Sequence, residues 1–244
     1  MKAVILAAGI ASRLRPLTDN KPKCLLEVGS RTLLERTIDG LLEKQIDQFV
    51  VVTGYLHKMI EEFVSAKYPD LNVEYIHNAK YDSTNNIYSL WLAKKAVIRE
   101  EKVFLLDSDI LFDPIIIDTL QNAPYSNCLA LNKHPLGEEE IKVIADSSCK
   151  ILEISKVCSP LDAIGESIGI EKMSIDFVST LYAELDDMIL NQNQVNVFYE
   201  AAFENIIKKG TAIYAVDTSA CFSMELDTVE DFESACEKIP SHLL

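Results

Sequence analysis

The chain has 244 residues, room for one large α/β domain or two small ones, and its 48% hydrophobic and 25% charged residues match an ordinary globule. A formal net charge of −15 argues against nonspecific nucleic-acid binding, which needs a basic face. Six cysteines without a CxxC pair read as reduced thiols rather than a zinc site or a disulfide frame. No apolar run approaches the roughly 18 residues of a membrane span. The N-terminal apolar run meets charge again at Arg13 and is too short for a secretory h-region. A cytoplasmic location is therefore expected, with neither nucleic acid nor membrane as partner.

KAVILAA (2–8) is continuously apolar, as a strand covered on both faces should be. RTLLERTIDGLLEK (31–44) has helical spacing, QFVVVTG (48–54) is a second buried strand, and HKMIEEFVSAK (57–67) is a helix. LNVEYIHN (71–78) is a third strand, residues 85–98 a helix, and KVFLLDSD (102–109) a strand ending in acid. This alternation implies parallel strands joined by right-handed crossovers. After about residue 125 the strands shorten: CLALNK, EIKVIAD and CKILEISK, with ADSSCK as a hairpin turn. Helices are expected over 174–190 and 197–209, then strands TAIYAVDT and CFSMEL, then a closing helix in DTVEDFESACEKI capped by Asp227 or Thr228. No repeat or Gly/Ser linker divides the chain, so 1–244 is expected to be one domain.

LAAGIASRLRPLTDNKPKCLL (6–26) sets Arg13, Arg15, Lys21 and Lys23 within eleven residues of an acidic chain, directly after the first strand. That position is a ligand position in doubly wound sheets. Gly9 follows two alanines, so the backbone can approach an anion closely, and loop amides can hold anionic oxygens. Arg13 offers a planar two-pronged contact to phosphate and Lys23 a mobile point charge, while Pro16 and Pro22 restrict the loop. These features describe a triphosphate site; the bland reading is a solvated basic loop. With one glycine the segment is neither GxGxxG nor GxxxxGK[ST], which removes support for a dinucleotide reductase and a P-loop enzyme.

LLDSD brings Asp107 and Asp109 to a strand end, and MELD repeats the spacing with Glu225 and Asp227. In a strand, positions i and i+2 share a face. Two such pairs could converge on one Mg²⁺, which takes a few carboxylates together with phosphate oxygens. Helix capping and turn chemistry are the alternative for these acids.

The pattern LAAGxxSRLxPLTxxxPKxLL resembles the signature of the nucleotidyltransferases that make activated sugars and alcohols from nucleoside triphosphates. The resemblance implies an α/β, Rossmann-like, mostly parallel sheet flanked by helices, with a smaller inserted β/α acceptor-binding part. The nucleotide-binding half would be about 1–125 and the acceptor-binding half about 126–244. It implies Arg13 and Lys23 as catalytic cations, Leu6, Ala7, Ala8, Gly9, Ser12 and Arg13 around the nucleotide phosphates, and Asp107 nearby in a supporting place. Asp109 and Asp227, with Glu225, would hold Mg²⁺. Residue 11 is alanine where many members have glycine, a departure that reshapes the turn.

STNNIYSLW (83–91) replaces the Gly-rich segment of the sugar enzymes and resembles the cytidylyltransferases acting on phosphocholine and related alcohols or phosphonates. The nucleotide implied is CTP, with Tyr55, Asn85, Asn86 and Ser89 near the base; amide side chains suit cytosine's edge. The alternative is that Asn85 or Asn86 merely caps a helix. VFYEAAF (197–203) aligns with the aromatic-plus-acid segment of the phosphocholine enzymes, which implies Phe198, Tyr199 and Glu200 at the acceptor head group, with Lys156 and Glu166 also on that side. Aromatics at helical spacing can equally be core. A further aromatic wall is missing near residue 140, where EEEIKV stands; Glu138, Glu139 and Glu140 could instead bind a primary ammonium or face water. The expected reaction is transfer of CMP from CTP to a small phosphorylated alcohol or phosphonate with release of pyrophosphate; a homodimer is compatible with it. The alternatives are an enzyme for a sugar 1-phosphate or inositol phosphate, and a noncatalytic nucleotide sensor of the same fold.

Overall fold

The computed structural model describes residues 1–99 and 102–244. In chain order the strands and helices are β1 (Lys2–Ala7), β2 (Glu27–Val28), β3 (Arg31–Thr32), α1 (Leu33–Glu43), β4 (Gln48–Thr53), α2 (His57–Lys67), β5 (Asn72–His77), α3 (Asn86–Leu92) and α4 (Lys94–Val97). There follow β6 (Lys102–Asp107), β7 (Ile110–Phe112), α5 (Ile115–Asn122), β8 (Cys128–Asn132), β9 (Lys142–Ala145) and β10 (Ile151–Ser155). The chain ends with β11 (Gly165–Ser174), α6 (Ile175–Asp186), α7 (Glu200–Lys208), β12 (Tyr214–Asp217), β13 (Ser223–Glu225) and α8 (Val229–Lys238).

Strands β6, β1, β4 and β5 lie side by side and parallel, with Ala7 opposite Thr53, Leu6 opposite Asp107, and Thr53 opposite His77. Their carboxyl ends therefore open together. The reason is the apolar sequence: Ala3, Ile5 and Ala7 enter one core and Val4 and Leu6 the other, so β1 is buried on both faces. Helices α3, α6 and α7 cover one face, with Ile87, Phe177 and Phe203 in the core, while α1, α2 and α5 cover the other with Ile38, Ile60 and Ile116. The α/β class and the mostly parallel central sheet are those expected.

The second half extends the same sheet. One edge of β11 carries β8, and the other pairs with β9 at Gly165–Glu166 and with β6 at Ile170–Ser174, all antiparallel. Among the described residues the sheet has nine strands. A small third core joins α8 to the β2–β3 hairpin through Val28, Leu33, Leu226, Ala235 and Ile239. No helix among the described residues is long and apolar enough to cross a membrane.

Several expected boundaries moved. The helix expected over 85–98 breaks at Ala93 into α3 and α4, and the one expected from 197 starts at Glu200, leaving Phe198 and Tyr199 before it. The closing helix is capped by Thr228, whose hydroxyl accepts from Asp231 N at 3.1 Å while Asp231 reaches back to Thr228 N at 2.9 Å. Asp227 is thereby left free of capping. Strands β2, β3 and β7 and helix α5 had no clear sequence signal, being very short or, in α5, starting after Pro114 in an unbroken apolar run.

Candidate active site

A cavity of about 880 Å³ opens where β1, β6 and β11 end or turn. Its walls include Leu6 through Arg13 and Lys23 from the end of β1 and the first loop, Asn85, Asn86 and Ser89 at α3, Asp107 and Asp109 at the end of β6, Lys156, Glu166, Phe198 and Glu200 from the second half, and Glu225 and Asp227 at β13. The expected site residues are thus brought to one cavity, with two corrections. Tyr55 and Tyr199 are not among the described residues that line it.

Tyr55 turns its hydroxyl to the carbonyls of Thr18 (2.9 Å) and Asp19 (2.8 Å), so it ties down the basic loop rather than facing a base. Its backbone N–H donates to Ala8 O at 3.1 Å. That close approach needs Gly54, where a Cβ would sit 2.5 Å from the same carbonyl. Tyr199 is fully buried, so its ring cannot form a wall for an acceptor. The basic loop itself turns at Ala11, which adopts φ 52° and ψ 51°, the left-handed conformation that glycine takes more easily. Ala11 O accepts from Leu14 N (3.1 Å) and Thr18 Oγ1 (2.9 Å), which fixes the turn.

The acids meet because β7 and β13 pair, with Glu225 opposite Ile110 and Leu226 N donating to Asp109 O at 3.1 Å. Carboxylate oxygens of Asp109, Glu225 and Asp227 lie within 4.8 Å of one another. Lys23 reaches into this cluster, its Nζ 3.0 Å from Asp109 Oδ2 and 2.6 Å from Asp227 Oδ1, and Arg13 donates to the other oxygen of Asp227. Burial opposes the Lys23 charge, but the two aspartates outweigh it and raise its pKa. Burial would raise Asp227, yet Lys23 and then Arg13 hold it below the usual carboxyl value. Glu225 lacks such a partner: burial, with Asp109 and Asp227 nearby, pushes it to about 8. All the donors are hard oxygens, and the cluster already draws in a cation, so the residues fit a divalent ion such as Mg²⁺.

A second acidic group runs from the cavity wall into the core. The Tyr199 hydroxyl is 3.2 Å from Asp107 Oδ2 and 3.1 Å from Glu171 Oε1. Burial raises Asp107 and Glu171 well above ordinary carboxyls, and further acids nearby add to the effect. The Asp107 carboxylate packs on Gly169 at φ 68°, where a Cβ would come within 2.6 Å of it. Burial likewise pushes Glu200 to about 7, against the pull of its own amide and of Lys156. Its Oε2 has no hydrogen-bond partner.

On the wall contributed by the second half, Lys156 Nζ lies 4.7 Å from the centre of the half-exposed Phe198 ring and 3.2 Å from Glu139 Oε2. Glu139 also lies 3.9 Å from Arg13, bridging the two sides of the mouth. Asn78 and His134 are among the lining residues that the sequence does not single out. Asn78, at the end of β5, donates to Thr84 Oγ1 (3.2 Å) and Ser89 Oγ (3.1 Å) beside α3. His134, just past β8, sets Nε2 2.7 Å from Glu166 Oε2 and Nδ1 2.9 Å from Pro135 O. Burial opposes its charge, but Glu166 raises its pKa, while burial raises Glu166 itself.

Cations after β1 facing carboxylates after β6 and β13, at the carboxyl ends of a parallel sheet, make up an enzyme cavity of the nucleotide-handling α/β class. Residues 2–129 match the profile described as nucleotidyl transferase, and the chain belongs to that family. It is 31% identical to the CTP:phosphoglutamine cytidylyltransferase of Campylobacter jejuni over 98% of this chain and 100% of that protein. It is 29% identical to the choline-phosphate cytidylyltransferase of Streptococcus pneumoniae, covering 95% of each. The solved structure of the CTP:phosphocholine cytidylyltransferase from Streptococcus pneumoniae superposes with a TM-score of 0.83 at 25% identity, over 98% of this chain and 99% of that one.

Proposed function

We propose that the protein transfers CMP from CTP to a small phosphorylated alcohol, amino compound or phosphonate and releases pyrophosphate. The observation that carries this reading is the cluster of Lys23 and Arg13 on the Asp109–Glu225–Asp227 carboxylates, in one cavity with Phe198 and Glu200. The similarity to cytidylyltransferases over nearly the whole chain supports CTP as the donor.

In the proposed reaction an anionic oxygen of the acceptor attacks the α-phosphorus. One phosphorus–oxygen bond forms as the bond to the bridging β-oxygen breaks, and pyrophosphate leaves with that electron pair. The acceptor oxygen is already ionised, so no protein nucleophile or strong base is needed. Arg13, Lys23 and the loop 9–12 would grip the phosphates and orient them for in-line displacement. Asn85, Ser89 and Asn78 would border the base. Asp109, Glu225 and Asp227 would hold Mg²⁺, which when bound supplies neutralisation of phosphate charge. Residues of about 1–125 would serve the nucleotide and those of about 126–244 the acceptor.

On that acceptor side Glu200, buried with one carboxylate oxygen unpartnered, lines the cavity together with the exposed Phe198 ring, which already carries Lys156 over its face. This suits a protonated amine better than a quaternary ammonium, which asks for several aromatic faces. Pyrophosphate release should therefore appear with CTP and an amino-bearing phosphate or phosphonate, such as phosphoethanolamine, 2-aminoethylphosphonate or phosphoglutamine. Turnover only with UTP or dTTP and a sugar 1-phosphate would overturn the proposal.

A further inference from the structure

Phe198 lies near the end of a segment, 192–199, that forms neither helix nor strand, and Glu200 follows it as the first residue of α7. Something else must hold them, because an irregular segment lacks a ladder of its own to fix its side chains. Two bonds run from it to the amino end of α3, more than a hundred residues away in sequence. Asn85 N donates to Val195 O at 2.9 Å, and Tyr199 N donates to Asn86 Oδ1 at 2.9 Å. A backbone N–H can only donate, so the Asn86 atom facing it is the carbonyl oxygen. One of the two lone pairs of the Asn86 oxygen is thereby committed to the Tyr199 amide, although Asn86 also lines the cavity. The Tyr199 side chain completes the attachment, buried with its ring 5.5 Å from that of Phe203 and its hydroxyl between Asp107 and Glu171.

We propose that Asn86 is a positioning residue for the acceptor. From the helix beside the nucleotide it holds, through the Tyr199 amide, the segment that presents Phe198 and Glu200 to the cavity. This rests on the cytidylyltransferase reading and reassigns Asn86 from base recognition to alignment of the second substrate. The Asn86 oxygen and its NH₂ group then have separable roles, since only the oxygen serves the tether.

The test compares Asn86→Ala, which removes both ends, with Asn86→Asp, which keeps an acceptor oxygen for Tyr199 N–H and removes the NH₂ group. Three quantities are measured: hydrogen exchange of the Tyr199 amide without substrates, the CTP dissociation constant, and the acceptor KM. Loss of one hydrogen bond predicts about 3- to 10-fold faster Tyr199 exchange and a similar rise in acceptor KM for Asn86→Ala. For that variant the CTP dissociation constant should stay within about 2-fold, and Asn86→Asp should restore both exchange and acceptor KM. Unchanged exchange in Asn86→Ala, a loss falling on CTP affinity instead, or no rescue by Asn86→Asp would overturn the assignment. If the wild type releases no pyrophosphate from CTP with any acceptor, the cytidylyltransferase reading falls and the acceptor role with it, while the exchange rates still decide whether the tether exists.

Discussion

Replacing Lys23 with methionine removes a buried ammonium and keeps most of the side chain's volume. The lysine side chain is 10% exposed, while Asp109 and Asp227 are 27% and 28% exposed. Breaking a fully buried ion pair costs about 3–5 kcal/mol because the partner charge is left alone. Partial hydration of both aspartates, and Arg13 remaining on Asp227, reduce that to about 2 kcal/mol. For a chain of this size the melting temperature should fall by about 4–8 °C. The variant leaves Asp109, Glu225 and Asp227 without the cation that now sits among them, so Mg²⁺ should stabilise Lys23→Met more than it stabilises the wild type. Thermal unfolding with and without Mg²⁺ measures both effects, and pyrophosphate release should be nearly abolished. An unchanged melting temperature, or a larger Mg²⁺ effect on the wild type, would refute the reasoning.

The Glu200 prediction concerns pH. Its folded value of about 7, against an ordinary 4.5, means the folded state keeps a proton that the unfolded chain has released between those values. Stability should therefore fall as pH rises from about 4.5 to 7 and stay at its lower level above. Glu200→Gln should gain up to about 3 kcal/mol over the wild type above pH 7, a gain that vanishes below about pH 4.5 and shows in denaturant titrations across pH. A pH-independent difference would count against the assignment. Ala11→Gly should relieve a left-handed backbone cost of about 1–2 kcal/mol and give back about 0.4–1 kcal/mol through chain entropy. The melting temperature should rise by about 1–3 °C, and a fall would show that Ala11 is not strained.

Much of the fold could be read from the chain because its signals are local. A run such as KAVILAA has one stable use, a strand with both faces covered, and its alternate residues do enter opposite cores. The second half was harder. Strand β11 spans Gly165–Ser174, and because it serves three partner strands it shows no single alternation in the sequence. The acid cluster was partly legible: i, i+2 spacing suggested shared faces, but the pairing of β7 with β13 that joins the two strand ends is three residues long.

The two tyrosines show why residue type alone misleads about a site. Tyr199 lies between two residues on the cavity, yet neither it nor Tyr55 lines that cavity: the Tyr55 hydroxyl bonds to the carbonyls of Thr18 and Asp19, and that of Tyr199 to Asp107 and Glu171. Neighbours in an irregular segment point in different directions, so adjacency in sequence assigns no face. What such residues can do is hold their neighbours: Tyr55 fastens the basic loop, and Tyr199 fastens the segment bearing Phe198 and Glu200. In the proposed reaction the cations would grip phosphates and the acids would hold a metal at distances set by charge, and an error of an ångström in either would cost rate. A loop carrying two prolines and an irregular segment without a ladder cannot set that distance themselves. The buried hydroxyls and amides behind them do so, and a pattern of charges along the chain carries no record of those contacts.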